Sequence, residues 1–208
     1  MLFDVIVRNG TVIDPAAGFC GVRDLYIRDG RFAALPDGEE AEGEKVIDAA
    51  GCYVTPGLID AHLHLYEGGN QLGGKADLVC PPNCVTTAID AGSAGLYNFK
   101  AFYERDILPS ATTIQAALSP TKGGVQMAPY EEIADPVFGT YDLVRPVFEA
   151  YPDTLVGIKQ RVHGEVTREF GLRSLARSAE TARKLREAGF RCRLMVHFGP
   201  LARDVSLE

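Results

Sequence analysis

The sequence predicts an α/β fold: a small β unit, then about five βα units of a partial (β/α)8 barrel. Three observations carry this. The first ~55 residues hold short alternating runs broken by Asn9-Gly10, Asp14-Pro15 and Asp29-Gly30. After Pro56, apolar runs of strand length alternate with helical patterns. The stretch that follows Pro56 is shorter than the roughly 250 residues of a closed eight-unit barrel.

In the β unit, residues 3–8 alternate apolar and polar side chains, and Asn9-Gly10 predicts a tight turn of hairpin type. Residues 11–13 resume a strand that Asp14-Pro15 stops. Further strands are expected at 25–27, 31–35 and 46–48, with Asp29-Gly30 as the turn between the first two. The polar, acidic run 38–45 reads as a loop. Barrel strands are expected at 58–65, 86–90, 112–118, 155–162 and 191–198. Helices are expected at 96–108, 141–151 and 172–188, the last closed by Gly189 as a C-cap. Residues 121–138, rich in Gly and Pro, follow a strand end, where barrel loops build active sites.

The chain of 208 residues is 46% hydrophobic and 24% charged, with a formal net charge of −7. That balance favours neither nucleic acid nor an anionic membrane as a partner. No run approaches the ~18 apolar residues of a membrane span, and the N-terminus lacks a basic, apolar leader. A cytoplasmic protein is expected. The five cysteines are odd in number and scattered, unlike a disulfide framework. Cys80 and Cys84, the one close pair, are expected to pack as small apolar residues or to lie in a loop.

Candidate chemistry centres on Asp60-Ala61-His62-Leu63-His64. Side chains two apart on a strand share a face, so His62 and His64 would project together and Leu63 the other way. Two neutral imidazoles make half a site for zinc or a similar divalent metal. They could equally be partly buried histidines satisfied by each other or by a carboxylate. Their place at a strand end before Gly68-Gly69 suits the mouth of a barrel. Lys159 sits in an apolar strand, where burial lowers an amine's pKa and leaves it nucleophilic. Its alternative is a pair with a carboxylate such as Asp90. His197 ends another strand, and on its own reads as a core or rim residue. His163 and Arg161 share the Lys159 face by parity. His163 reads as a mouth residue, and Arg161 as a contact for an anionic substrate or as a simple ion-pair residue. Ser93 lacks the flanks of a nucleophile elbow; it is expected near the site, bonded to a loop or ligand. The Gly pairs are too loosely spaced to bind phosphate and read as turns.

The string Pro56-Gly57-Leu58-Ile59-Asp60-Ala61-His62-Leu63-His64 resembles the signature of the amidohydrolase superfamily. Gly10-Thr11-Val12-Ile13-Asp14-Pro15 and Ile27-Arg28-Asp29-Gly30-Arg31 resemble its small N-terminal β-sandwich. Asp90-Ala91-Gly92-Ser93-Ala94-Gly95 and Gly157-Ile158-Lys159 resemble the deacetylase branch, close to dihydroorotase-like members. The resemblance covers essentially the whole chain. It implies a sandwich segment over 1–55 and the N-terminal part of a metal-dependent hydrolase barrel over 56–208. It implies divalent metal, two zinc ions, held by His62, His64, Lys159 and His197, with Lys159 carrying a bridging carbamate. It further implies a fourth ligand histidine on the next strand and a general-base aspartate on the last strand, neither of which can be placed up to residue 208. A truncated chain, whose own activity is open, is therefore expected; Ser206-Leu207-Glu208 reads as the N-cap and start of a further helix. The expected activity is hydrolysis of an amide or ester bond in a small-molecule substrate, by an N-acyl or O-acyl deacetylase, with Arg161 and Ser93 as candidate substrate contacts. The alternatives are a cyclic-amide hydrolase of dihydroorotase type and a non-catalytic half-barrel that binds a partner or one metal. A homo-oligomer of the full-length protein is left open.

Overall fold

A computed structural model describes residues 1–126 and 131–199. The expected helix start at Ser206-Leu207-Glu208, and residues 127–130 of the expected Gly/Pro loop, lie outside them. The chain divides after Gly57 into two compact units.

The first unit holds β1 (Leu2–Arg8), β2 (Thr11–Asp14), β3 (Phe19–Val22), β4 (Leu25–Arg28), β5 (Arg31–Ala33), β6 (Glu42–Asp48) and β7 (Tyr53–Val54). They form two sheets, β5-β4-β1-β6 and β3-β2-β7. β1 buries Phe3 and Ile6 completely, three residues apart rather than on the alternating positions. Asp29-Gly30 closes a true hairpin: both residues have positive φ, and Arg28 pairs with Arg31. Asn9-Gly10 does not, which corrects the hairpin expectation. Asn9 does turn the chain at φ 64°. Its backbone N–H donates to Asp24 Oδ1 and its side-chain amide to Asp48 Oδ1, so the chain passes from one sheet to the other. The expected loop over 38–45 is also corrected, because β6 starts at Glu42 and runs parallel to β1 from Leu2↔Glu42 onward. A Cβ on Gly43 would sit 2.9 Å from Ile6 Cγ1, so glycine lets β6 close on β1.

The second unit holds β8 (Leu58–Leu63), α1 (Ala76–Val79), β9 (Val85–Ala91), α2 (Phe99–Phe102), β10 (Thr113–Leu118), α3 (Tyr141–Ala150), β11 (Leu155–Val162), α4 (Gly164–Thr167), α5 (Arg173–Glu187) and β12 (Arg193–Phe198). The five strands form one parallel sheet in the order β12-β11-β10-β9-β8. Flat, that sheet would hold its edges about 19 Å apart, at ~4.8 Å per strand. Instead the rings of His62 on β8 and His197 on β12 lie 5.9 Å apart, because the sheet curls into a half-barrel. This is the partial barrel that the βα alternation predicts.

On β11, Ile158 packs in the cluster that includes Phe99, Phe102, Phe148 and Leu185, while Lys159 points to the concave side near His62. The expected helix over 96–108 is α2 followed by a wider π-type turn, Tyr103–Ile107. α5 ends where Gly189 adopts φ +91°, as the C-cap predicts. Its inner face is partly polar: the Ser178 hydroxyl donates to Gln160 Oε1 at 2.8 Å and the Thr181 hydroxyl to the Gly139 carbonyl at 2.6 Å. All five cysteines are free; Cys80 is buried and Cys84 exposed. No described helix is long and apolar enough to cross a membrane.

Candidate functional site

Strand alternation puts His62 and His64 on one face, with ring centroids 5.8 Å apart, and sends Leu63 outward against the core. From β11 the Lys159 amine reaches to 3.2 Å from His62 Nε2, with Met195 Sδ at 3.6 Å. His197, from β12, stands across from His62. The structure thus brings His62, His64, Lys159 and His197 together on the concave side. Lys159 is 2% exposed and, among the described residues, forms no ion pair. Asp90, the alternative carboxylate partner for it, accepts backbone N–H bonds from Leu65 and Ser93 instead, each at 2.7 Å.

Burial, reinforced by neighbouring positive groups, sets the protonation of the cluster. It lowers His64 to about 4, with His62, Lys159, His197 and Arg161 pushing the same way. Burial first and then Lys159 lower both His62 and His197. Burial also lowers Lys159, against the partial pull of Glu132 and Asp90. The imidazoles are therefore neutral near pH 7, and each neutral ring carries one nitrogen lone pair of the kind a Lewis acid takes. Among the described residues no three His, Cys, Asp or Glu side chains form a metal cage by themselves. The cluster needs its lysine as a donor, and an ammonium cannot donate. Three neutral imidazoles around a buried amine with no carboxylate partner among the described residues fit a metal site once that amine has lost its charge.

The loops after β9 and β10 support the cluster. Leu96 and Tyr97 donate backbone bonds to Thr121 and Lys122, and Val125 donates to Gly92. Gly92 has φ +84°, and a Cβ there would lie 2.8 Å from Lys159 Cβ and Cγ. Glycine is therefore required where the turn passes the lysine. The Ser93 hydroxyl lies 3.0 Å from His64 Nδ1, which places it against the site as expected. Arg161 Nη1 donates to Glu132 Oε2 at 3.1 Å and to the Gln126 carbonyl at 3.3 Å. His163 caps α4, its Nδ1 accepting from the Glu165 N–H at 3.3 Å. Glu132, almost wholly buried, is the site residue that sequence reasoning missed. It stands in the Gly/Pro loop with no periodic pattern, and its cation is 29 residues away.

Residues 45–96 match the amidohydrolase family. The chain is 30% identical over 184 residues to a deacetylase of Agrobacterium fabrum, covering 86% of this chain and 44% of the relative. Over 92 residues it is 37% identical to a dihydroorotase of Solibacter usitatus, covering 38% of this chain and 21% of the relative. A crystal structure of a dihydroorotase superposes with a TM-score of 0.81 at 27% identity, covering 96% of this chain and 53% of that one. The chain spans about half the length of the curated deacetylases it matches. The signature strand from Pro56 to His64, the half-barrel that curls around it and these likenesses agree: the chain is similar to amidohydrolases, with deacetylases and dihydroorotases among the proteins it resembles.

Proposed function

We propose that the protein is a metal-dependent hydrolase of amide or ester bonds in small molecules, and within that class an N-acyl or O-acyl deacetylase. One observation carries the reading: the neutral imidazoles of His62, His64 and His197 converge on a buried lysine amine that has no carboxylate partner among the described residues. These four side chains would hold divalent metal, two zinc ions by family likeness. When bound, such a metal supplies Lewis acidity toward a carbonyl and toward attacking water.

Lys159 is suited to become a carbamate. The ammonium first gives one proton to solvent; the amine lone pair then attacks the carbon of carbon dioxide, an N–C bond forms as a C–O π bond breaks, and the nitrogen releases a second proton to solvent. The anionic product exchanges an uncompensated buried cation for two ligand oxygens. Glu132 holds Arg161 in one orientation, which suits that guanidinium to an anionic group on the substrate. Deacetylases are favoured because the likeness to them runs along most of the chain. Cyclic-amide hydrolysis is the second reading. It is favoured by the higher identity with dihydroorotases over a shorter stretch and by the dihydroorotase superposition.

Replacing both His62 and His64 by Ala in the full-length protein should remove most of its bound metal. Unchanged metal content by elemental analysis would defeat the assignment. Assays of acetylated hydroxy and amino acids against dihydroorotate and hydantoins separate the two substrate classes. Turnover of the cyclic amides alone would reverse their order.

A further inference from the structure

A thioether stands among the nitrogen groups of the cluster and has no part in the hydrolytic reading. Met195 pairs with Lys159 across β11 and β12, and its Sδ lies 3.6 Å from the Lys159 amine. Alternation sets its direction. Its neighbour Leu194 packs against the core, whereas Met195 shares the concave face of β12 with His197. Met195 is half-buried, so a small solute that enters the concave side reaches the sulfur. A thioether accepts hydrogen bonds only weakly, but its sulfoxide is polar and carries a strong acceptor oxygen.

We propose that Met195 is an oxidation site at which a peroxide closes the centre reversibly. The sulfur lone pair attacks one peroxide oxygen, an S–O bond forms and the O–O bond breaks. The departing hydroxide takes the proton of the transferred hydroxyl and leaves as water. Sulfur is oxidised by two electrons and the peroxide is reduced by two. The new oxygen stands against Lys159 Nζ, takes a hydrogen bond from it and fills the space beside it. Affinity for divalent metal then falls until a methionine sulfoxide reductase restores the thioether. The effect on metal rests on the reading above; the reactivity of the sulfur does not.

The test treats metal-free full-length protein with hydrogen peroxide and then with dithiothreitol, which returns oxidised thiols and leaves sulfoxides. Peptide mass spectrometry should find one added oxygen on Met195. Zinc affinity in a chelator competition should fall about 10-fold or more, the range for partners of a ligand. Reductases for both sulfoxide epimers should restore it. Met195→Leu should keep its affinity through the same treatment. Met195→Gln, with a permanent amide oxygen, should have the low affinity without peroxide. Should a variant fail to fold, the wild type before oxidation, after it and after reduction still decides. Met195 left unoxidised while Met1 reacts overturns the proposal. So does a Met195 sulfoxide with unchanged zinc affinity, or equal losses in wild type and Met195→Leu. A wild type that takes up no zinc before oxidation defeats the metal reading, and mass mapping alone then decides whether Met195 is the oxidation site.

Discussion

Each rim of the half-barrel uses an aspartate to tie loops together. At the lower rim, before β10, Asp77 accepts bonds from the Ser110 hydroxyl and the Ala111 and Thr112 N–H groups at 2.8–3.0 Å. At the upper rim, near the end of β9, Asp90 accepts backbone bonds from Leu65 and Ser93. Asp77 is exposed, and its bonds to the Ala111 and Thr112 N–H groups hold its carboxyl well below the usual range. Asp90 is buried, and burial outweighs its bonds and pushes it up to about 6. The same device is comfortable in water and under electrostatic stress inside. The upper rim also holds Lys159, with no carboxylate partner among the described residues, and the left-handed Gly92, so the stress is concentrated where a barrel places its chemistry.

The sharpest way to break this contrast is Lys159→Ala. Hydrolase activity of the full-length protein should fall by more than ~100-fold, beyond the range for merely supporting residues. Short carboxylic acids should restore part of it by supplying the missing oxygens. High activity in the unrescued variant would remove the lysine from the mechanism.

Gly92→Ala comes next. The left-handed backbone alone costs about 1–2 kcal/mol with a Cβ, and the 2.8 Å approach to Lys159 adds to it. Both the denaturant midpoint and the metal content should fall. A variant that keeps both would show that the turn and the lysine are not in contact.

Asp77→Asn should have the smallest effect, about 1 kcal/mol, as for a lost cap, with turnover unchanged. Its pH signature is distinctive. The folded carboxyl of Asp77 lies below its unfolded value of 3.8, so the stability it brings is complete above that pH and is lost as pH falls below it. Asp90 has the opposite sign: its raised pKa makes its charge costly above about pH 6, and the cost disappears as pH falls toward 3.8. Asp77→Asn should therefore flatten the acid limb alone in urea titrations across pH. A change in the slope between 3.8 and about 6 would mean the two rims are coupled.

Much of this was legible in the sequence where a repeating physical constraint leaves a trace. The five barrel strands stand out because burial demands apolar runs, and the shared face of His62 and His64 follows from alternation. Asp29-Gly30 could be read because two positive φ angles demand such residues. Asn9-Gly10 carries the same signal and has a different outcome, because distant Asp24 and Asp48 decide where the next strand goes. Of β6 only 46–48 was legible, because most of its side chains are exposed and leave no apolar period over 42–45. Glu132 and the Asp90 bonds escaped it because they depend on which loops meet in space.

The curl of the sheet has a consequence for folding and for resilience. His62 and His197 belong to the two edge strands, each paired on one side only among the described residues. Their encounter is a long-range contact, formed only after every strand between them has docked. Edge strands also open most readily in local fluctuations. Among the described residues, the cluster thus exists only while the intervening strands β9, β10 and β11 hold the two histidines face to face.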